Sequence, residues 1–197
     1  MEARLFAEGT VPECTTATWY QGRESAPHLE QPGHRERLFL AASFVAEAVH
    51  AHGAGSVVDL GSGDGGLLSL LPPAEYAGPE TWGYDLCPAN VAAAAERGVH
   101  VELLDVIAGE PRWADVAVAT EMLEHLIDPH SFLRRVREHC RFLVASSPWD
   151  ETAEQHYEFH TWAWDPPGYI AMLDEAGWRV IYLEPVGRFQ VVLAACA

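Results

Sequence analysis

Two carboxylates and an imidazole stand close together in the segment TEMLEHL, at Glu121, Glu124 and His125. If a helical turn begins at Glu121, the three residues take positions i, i+3 and i+4 and share one face. Such a set could hold a divalent cation such as Mg²⁺ or Mn²⁺, and the imidazole alone could act as a general base near neutral pH. The spacing therefore predicts a chemical centre and leaves a metal-dependent and a metal-free version open.

A second segment, EQHYEFHTW, adds His156 and His160 among several aromatic residues. We expect this segment to cover the site as a lid, although aromatic packing over the end of a sheet is the alternative. His160 joins His125 and Glu124 as a candidate catalytic residue. His156 is the candidate that would complete a metal set with Glu121, Glu124 and His125.

The segment VVDLGSGDGG predicts a buried strand followed by a tight glycine turn. Gly61, Gly63 and Gly66 match the dinucleotide pattern G-x-G-x-x-G, with Asp85 about 20 residues farther on. Asp59, directly before the turn, would repel a pyrophosphate and suits a ligand that carries a cationic amine. Residues 65–71 are predicted to begin a helix whose N–H groups point at that ligand.

Alternating strand and helix patterns must position these residues. Strands are predicted near 56–60, 81–85, 99–104, 114–120 and 141–146, with a closing pair near the C-terminus. Helices are predicted near 34–52, 65–71, 88–97, 129–139 and 166–176. This alternation is typical of an α/β protein with a doubly wound parallel sheet. Because ligands of such sheets bind beyond the carboxyl ends of the strands, Asp59, Asp85, Asp105 and Glu121 are expected on one rim.

Composition restricts the class of protein and of partner. The 197 residues suit one domain, in which we expect residues 1–53 to form an N-terminal cap and residues 54–197 a core. The net charge of −17 disfavours nucleic acid as a substrate. No apolar run approaches the length of a membrane span, and four scattered cysteines suit reduced thiols in the cytoplasm. We therefore expect no membrane partner, and the oligomeric state stays open.

Several motifs in order resemble the class I S-adenosylmethionine (SAM) methyltransferases. The glycine loop is similar to their first motif, TWGYDL to the strand that ends in a second acid, and VELLDV to the third strand and its turn. EMLEHLIDP is similar to the ubiquinone-biosynthesis O-methyltransferases. Glu-x-x-Glu-His followed by a later histidine also resembles the small-RNA 3′-terminal 2′-O-methyltransferases, which hold a metal over the terminal ribose.

The resemblance implies a Rossmann-like fold, in which a seven-stranded, mostly parallel sheet has helices on both faces and an N-terminal helical cap. It implies SAM as the cofactor and, in one version, a divalent metal. The implied cofactor-binding residues are Asp59, Gly61, Ser62, Gly63, Asp85, Leu86, Asp105, Val106 and Glu121. The implied activity is O-methylation of a small molecule. The alternatives are a metal-dependent RNA 3′-terminal 2′-O-methyltransferase, a non-catalytic SAM-binding protein and an NAD(P)-binding oxidoreductase.

Overall fold

Nine strands and five α-helices make up the protein, and the computed structural model describes residues 1–197. The strands are β1 (Glu2–Arg4), β2 (Ser56–Leu60), β3 (Glu80–Asp85), β4 (Val101–Leu103), β5 (Val116–Thr120), β6 (Phe142–Pro148), β7 (Trp162–Trp164), β8 (Trp178–Val186) and β9 (Phe189–Cys196). The helices are α1 (Ala17–Gln21), α2 (Pro32–His52), α3 (Pro88–Glu96), α4 (Pro129–His139) and α5 (Pro166–Glu175). Short 3-10 turns occupy Glu13–Thr15, His28–Glu30, Leu68–Leu70, Ala74–Tyr76 and Leu123–His125.

Seven strands form one sheet in the order β4-β3-β2-β5-β6-β9-β8. The pairs from β4 to β6 are parallel, whereas β9 pairs antiparallel with both β6 and β8. This confirms the predicted seven-stranded, mostly parallel sheet. The order reverses between β2 and β5, so the carboxyl ends of these two strands flank the crevice where such sheets bind ligands.

Apolar runs explain the central strands, because both faces of the sheet are covered. Every residue of β5 and β6 is buried. One core contains Leu133, Trp164 and Trp178, and the other contains Phe44 and Val45 of α2. None of the helices combines the length and the apolar character needed to cross a bilayer. All four cysteines are free thiols.

Two features differ from the sequence-based expectation. The helix predicted over 65–71 is wrong, since only the 3-10 turn Leu68–Leu70 forms there. Gly65 has a left-handed backbone with φ of 74°, and Pro72 and Pro73 come directly after Leu71. Too few residues remain between Gly65 and Pro72 for a helix. A second, two-stranded sheet pairs β1 with β7, about which the sequence patterns gave no indication.

Candidate active site

A cavity of about 840 Å³ opens beyond the carboxyl ends of β2, β3, β5 and β6. Its walls come from the glycine loop, from the N-terminal segment and from the loop between β6 and β7. All the residues predicted to bind the cofactor line it: Asp59, Gly61, Ser62, Gly63, Asp85, Leu86, Asp105, Val106 and Glu121. The catalytic candidates His125 and His160 line it as well, whereas Glu124 is buried and does not line it.

The neighbouring strand β3 holds the glycine loop in place. The N–H groups of Gly61 and Ser62 both donate to the carbonyl oxygen of Tyr84 at 2.9 Å. The N–H of Gly63 donates to Oδ2 of Asp85 at 2.7 Å. Gly61 and Gly63 have φ of 82° and 57°, which only glycine adopts without strain. The loop therefore presents backbone rather than side chains to the cavity.

Asp85 and Asp59 are buried acids with different surroundings. Oδ1 of Asp85 accepts from the N–H of Cys87 at 2.8 Å and from Nδ2 of Asn90 at 3.1 Å. Burial raises the pKa of Asp85, and these hydrogen bonds oppose the rise. Asp59 accepts only from Oγ of Ser62, at 3.1 Å, and its Oδ1 has no partner. Burial raises the pKa of Asp59 to about 7, because the hydrogen bond from Ser62 and the charge of Arg37 offset only part of the desolvation.

The turn after β4 also lines the cavity. Oδ1 of Asp105 accepts from the N–H groups of Ile107 and Ala108 at 2.9 and 3.3 Å, which fixes the turn after the strand. Leu86 and Val106 add apolar surface to the cavity wall. Apolar side chains combined with backbone polar groups suit a planar heterocycle.

Glu121 does not share a helical face with Glu124 and His125, so that expectation is wrong. Glu121 adopts a left-handed conformation with φ of 53°, and the 3-10 turn begins only at Leu123. Ser146 holds it, because its carbonyl oxygen accepts from the N–H of Glu121 at 3.1 Å and its Oγ donates to Oε1 at 2.9 Å. Strained non-glycine residues of this kind concentrate at functional sites.

Glu124, His125 and His160 nevertheless converge. One potential ligand atom from each lies within 4.8 Å of the others. The rings of His125 and His160 meet edge to face, with centroids 4.7 Å apart. His125 Nδ1 lies 3.1 Å from the carbonyl oxygen of Phe159, which can only accept, so Nδ1 carries the proton and Nε2 keeps a lone pair. Burial, followed by the charge of His160, lowers the pKa of His125 to about 3.

Glu124 is 1% exposed, and neither of its carboxylate oxygens has a hydrogen-bond partner. Burial and then the charge of Glu121 raise its pKa well above the ordinary value. A buried carboxyl with both oxygens free, beside two imidazoles, fits the donor set of a divalent cation. His156 lies outside this group, and its Nδ1 is 3.1 Å from the carbonyl oxygen of Thr152.

Three parts of the cavity wall were not predicted from the sequence. Arg37 of α2 is 1% exposed, donates to Oγ of Ser146 at 3.3 Å and leaves Nε without a partner. Arg37 lies four residues before Ala41 on the buried face of α2, and this position could have indicated from the sequence that its side chain points inward. Trp19 and Tyr20 of α1 form an aromatic wall. Glu151 contacts His160, but no local pattern marks a single acid in a loop.

The chain matches the family model described as a methyltransferase domain over residues 32–183. A search of curated protein sequences gives no match. Among similar solved structures, magnesium protoporphyrin IX methyltransferase from Synechocystis PCC 6803 with bound SAH has 14% identity and a TM-score of 0.67 over 91% of this chain and 92% of that chain.

Two further structures share the fold at similarly low identity. Mitomycin 7-O-methyltransferase has 22% identity and a TM-score of 0.60 over 85% of this chain and 59% of that chain. The methyltransferase domain of bacterial CtHen1-C has 16% identity and a TM-score of 0.61 over 84% of this chain and 99% of that chain. With a family match that spans most of the sequence and a sheet order and glycine loop of the expected kind, the chain belongs to the class I SAM-dependent methyltransferases.

Proposed function

We propose that this methyltransferase transfers the methyl group of SAM to a hydroxyl oxygen of a small-molecule acceptor. The observation that carries the proposal is the pair of imidazoles, His125 and His160, at the wall of the cavity that the glycine loop also lines. Oxygen acceptors need a group that takes their proton, and imidazole suits that task near neutral pH.

The same cavity supports a placement for the cofactor. The backbone of Gly61 and Gly63 would contact its sugar and methionyl parts, and Asp85 would accept hydrogen bonds from the ribose hydroxyls. Asp59 would hold the cationic amine, for which its unpartnered Oδ1 is suited. Arg37, a buried guanidinium without a salt bridge, is suited to the carboxylate. Leu86, Asp105, Val106 and Glu121 complete the binding surface.

The reaction is a direct displacement. The acceptor oxygen forms a bond to the methyl carbon while the carbon–sulfur bond breaks. The electron pair of the carbon–sulfur bond stays on sulfur, so the sulfonium becomes the neutral thioether of SAH. The hydroxyl proton passes to an imidazole Nε2. His125, with a pKa near 3, is a weak proton acceptor, so His160 takes this role. The protein otherwise aligns the two reactants and excludes water.

His160→Ala tests the proposal. With a panel of phenols, catechols and sugars, kcat should fall on the order of 10²–10⁴-fold, as loss of a general base typically costs. SAM affinity, measured by calorimetry, should change little, because the glycine loop remains intact. His50→Ala is the control, since His50 is exposed on α2 and away from the cavity. Full activity of His160→Ala in the presence of EDTA would contradict both this role and a metal-dependent one.

A divalent cation is the second candidate, favoured by the buried carboxyl of Glu124 with no partner on either oxygen. Glu124, His125 and His160 would hold it, and it would lower the pKa of the acceptor hydroxyl. Chelation should then abolish turnover, and Mn²⁺ or Mg²⁺ should restore it. Calorimetry with Mn²⁺ should show binding to the wild type and a loss of binding in Glu124→Gln. Unchanged turnover in EDTA would leave the metal-free version.

An RNA 3′ end is the alternative acceptor. The fold shared with the CtHen1-C domain motivates testing it, whereas the net charge of −17 opposes contact with phosphates. We expect a short RNA with free terminal hydroxyls to be methylated far more slowly than the best small phenol or catechol. Comparable rates at 150 mM salt, roughly physiological ionic strength, would reverse that order.

A further inference from the structure

The buried acid Glu151 contacts the imidazole proposed above as the base. It lies in the loop between β6 and β7 and is 5% exposed. Its Oε2 is 2.6 Å from Nδ1 of His160, whose side chain is itself 8% exposed. A contact this short between two buried groups leaves no room for a water molecule between the two atoms. Glu151 alone therefore determines whether Nδ1 of His160 carries a proton.

The other carboxylate oxygen is held separately. Oε1 of Glu151 accepts from the N–H of Tyr157 at 3.2 Å and from Nη2 of Arg188 at 3.4 Å. A backbone N–H and a guanidinium thus face one oxygen of Glu151, and an imidazole nitrogen faces the other. This set of donors, with its positively charged guanidinium, fits an ionised carboxylate, which accepts and does not donate.

We infer that Glu151 is a positioning residue, which holds His160 in the Nδ1–H tautomer and thereby leaves the Nε2 lone pair free at the cavity wall. The inference rests on the proposed function, in which His160 Nε2 acts on the acceptor. An ionised carboxylate at Nδ1 requires a proton on that nitrogen, and a neutral imidazole then has its lone pair on Nε2. His125 has the same tautomer, fixed by the carbonyl oxygen of Phe159.

In both imidazoles, Nδ1 contacts a hydrogen-bond acceptor and the basic nitrogen is therefore Nε2. His125 depends on a backbone carbonyl that no side-chain substitution removes, whereas His160 depends on one carboxylate. The arrangement serves either version of the chemistry, because a proton acceptor and a metal ligand both need the free Nε2. Glu151 is the residue through which the tautomer can be changed without altering either imidazole.

Glu151→Gln is the decisive variant. An amide has one accepting oxygen and one donating NH₂ group. Two donors, the N–H of Tyr157 and Arg188, face the Oε1 position, so the amide oxygen should lie there. The NH₂ group then faces Nδ1 of His160, which must become an acceptor, and the ring proton moves to Nε2.

Nitrogen-15 NMR of the histidine rings in the SAH-bound protein reads this directly. We expect the Nδ1–H tautomer of His160 in the wild type and the Nε2–H tautomer in Glu151→Gln, with the His125 tautomer unchanged. With the phenol or catechol that the wild type methylates fastest, kcat should fall on the order of 10²–10⁴-fold, while KM and SAH affinity should stay within about twofold. Glu158→Gln, an exposed acid on the same loop, is the matched control.

Two results would overturn the inference: an Nε2–H tautomer of His160 in the wild type, or an Nδ1–H tautomer retained in Glu151→Gln. Both are read without turnover, so they remain informative if the proposed acceptor class is wrong. Failure of the proposed function is seen separately, as full activity of His160→Ala.

Discussion

Three acids at or beside the cavity wall, Asp59, Glu121 and Glu124, form no salt bridge. Burial raises the pKa values of Asp59, Glu121 and Glu124, and Arg37 is the guanidinium that opposes the rise at all three. SAM carries a sulfonium and an ammonium group, so a bound cofactor would supply the missing positive charge. The protein therefore carries an electrostatic cost in the free state that a cationic ligand relieves.

Asp59 gives this cost a measurable pH dependence. Its pKa is about 7 in the folded protein against an ordinary value of 3.8, so the folded state binds the proton more tightly. Stability from this group is highest at acid pH and falls as pH rises towards 7, above which the loss is constant. Between pH 5 and pH 8 the wild type should lose about 2–3 kcal/mol relative to Asp59→Asn, in urea unfolding without ligand.

Saturating SAM supplies the control for that experiment. If its ammonium group faces Asp59, the carboxylate is stabilised and the difference in pH dependence between wild type and variant should shrink. Parallel stability curves for the two proteins from pH 5 to pH 8 would show that Asp59 is ionised throughout and would contradict the prediction.

At the level of elements, the sequence predicted the parts whose identity depends on burial. The apolar runs at β2, β5 and β6 are short and covered on both faces, so periodicity and length identify them. The strand-end acids Asp59 and Asp85 lie where the rule for parallel sheets puts them. The glycine spacing alone left two cofactor classes open, and the family match resolves this in favour of SAM.

The features that the sequence did not predict correctly depend on contacts between residues far apart in the chain. The three-residue strands β1 and β7 pair although most of the chain separates them in sequence, so no short window of sequence contains both. The left-handed backbone of Glu121 depends on Ser146, 25 residues away, so helical spacing gave the wrong face. Of the two histidines in EQHYEFHTW, only His160 reaches His125, because the loop geometry and not the spacing decides.

The glycine loop offers a matched pair of substitutions. Gly63 and Gly53 have φ of 57° and 68°, and a Cβ at either would meet no atom within 4 Å. Alanine at each should therefore cost a similar strain energy, about 1–2 kcal/mol. Gly63 lines the cavity, whereas Gly53 caps the C-terminus of α2.

We expect Gly63→Ala to weaken SAH binding about tenfold or more, which corresponds to about 1.4 kcal/mol, while Gly53→Ala leaves it unchanged. Calorimetry gives the affinities, and thermal unfolding verifies that the two variants lose similar stability. Equal SAH affinity in both alanine variants would mean that the cofactor does not approach this part of the loop.

At the scale of the whole molecule, the N-terminal segment encloses the cavity. Trp19 lies 4.8 Å from Phe159 in the loop after β6, and Tyr20 lies 6.3 Å from His125 in the 3-10 turn after β5, measured between ring centroids. The segment is tied down by β1 at one end and by α2 at the other. Between them, residues 5–31 contain only the five-residue α1 and two 3-10 turns.

Because this stretch contains so little helix and strand, we expect it to open at a lower free energy than the central sheet. Because its residues form one wall of the cavity, opening would also remove part of the binding surface. Ligand binding should therefore hold the segment closed, and the extent of protection should follow the occupancy of the cavity.

Trypsin cleavage after Arg23 measures this opening. Arg23 is exposed, lines the cavity mouth with its guanidinium 4.2 Å from the Trp19 ring, and precedes a stretch without helix or strand. At about 100 times its Kd, SAH should slow this cleavage by about 100-fold if only the closed segment binds it. Cleavage after Arg112, in an exposed loop outside the cavity, should slow far less. Mass spectrometry monitors cleavage at both sites. Equal slowing at the two sites would instead indicate that SAH stabilises the whole fold and that the segment does not open on its own.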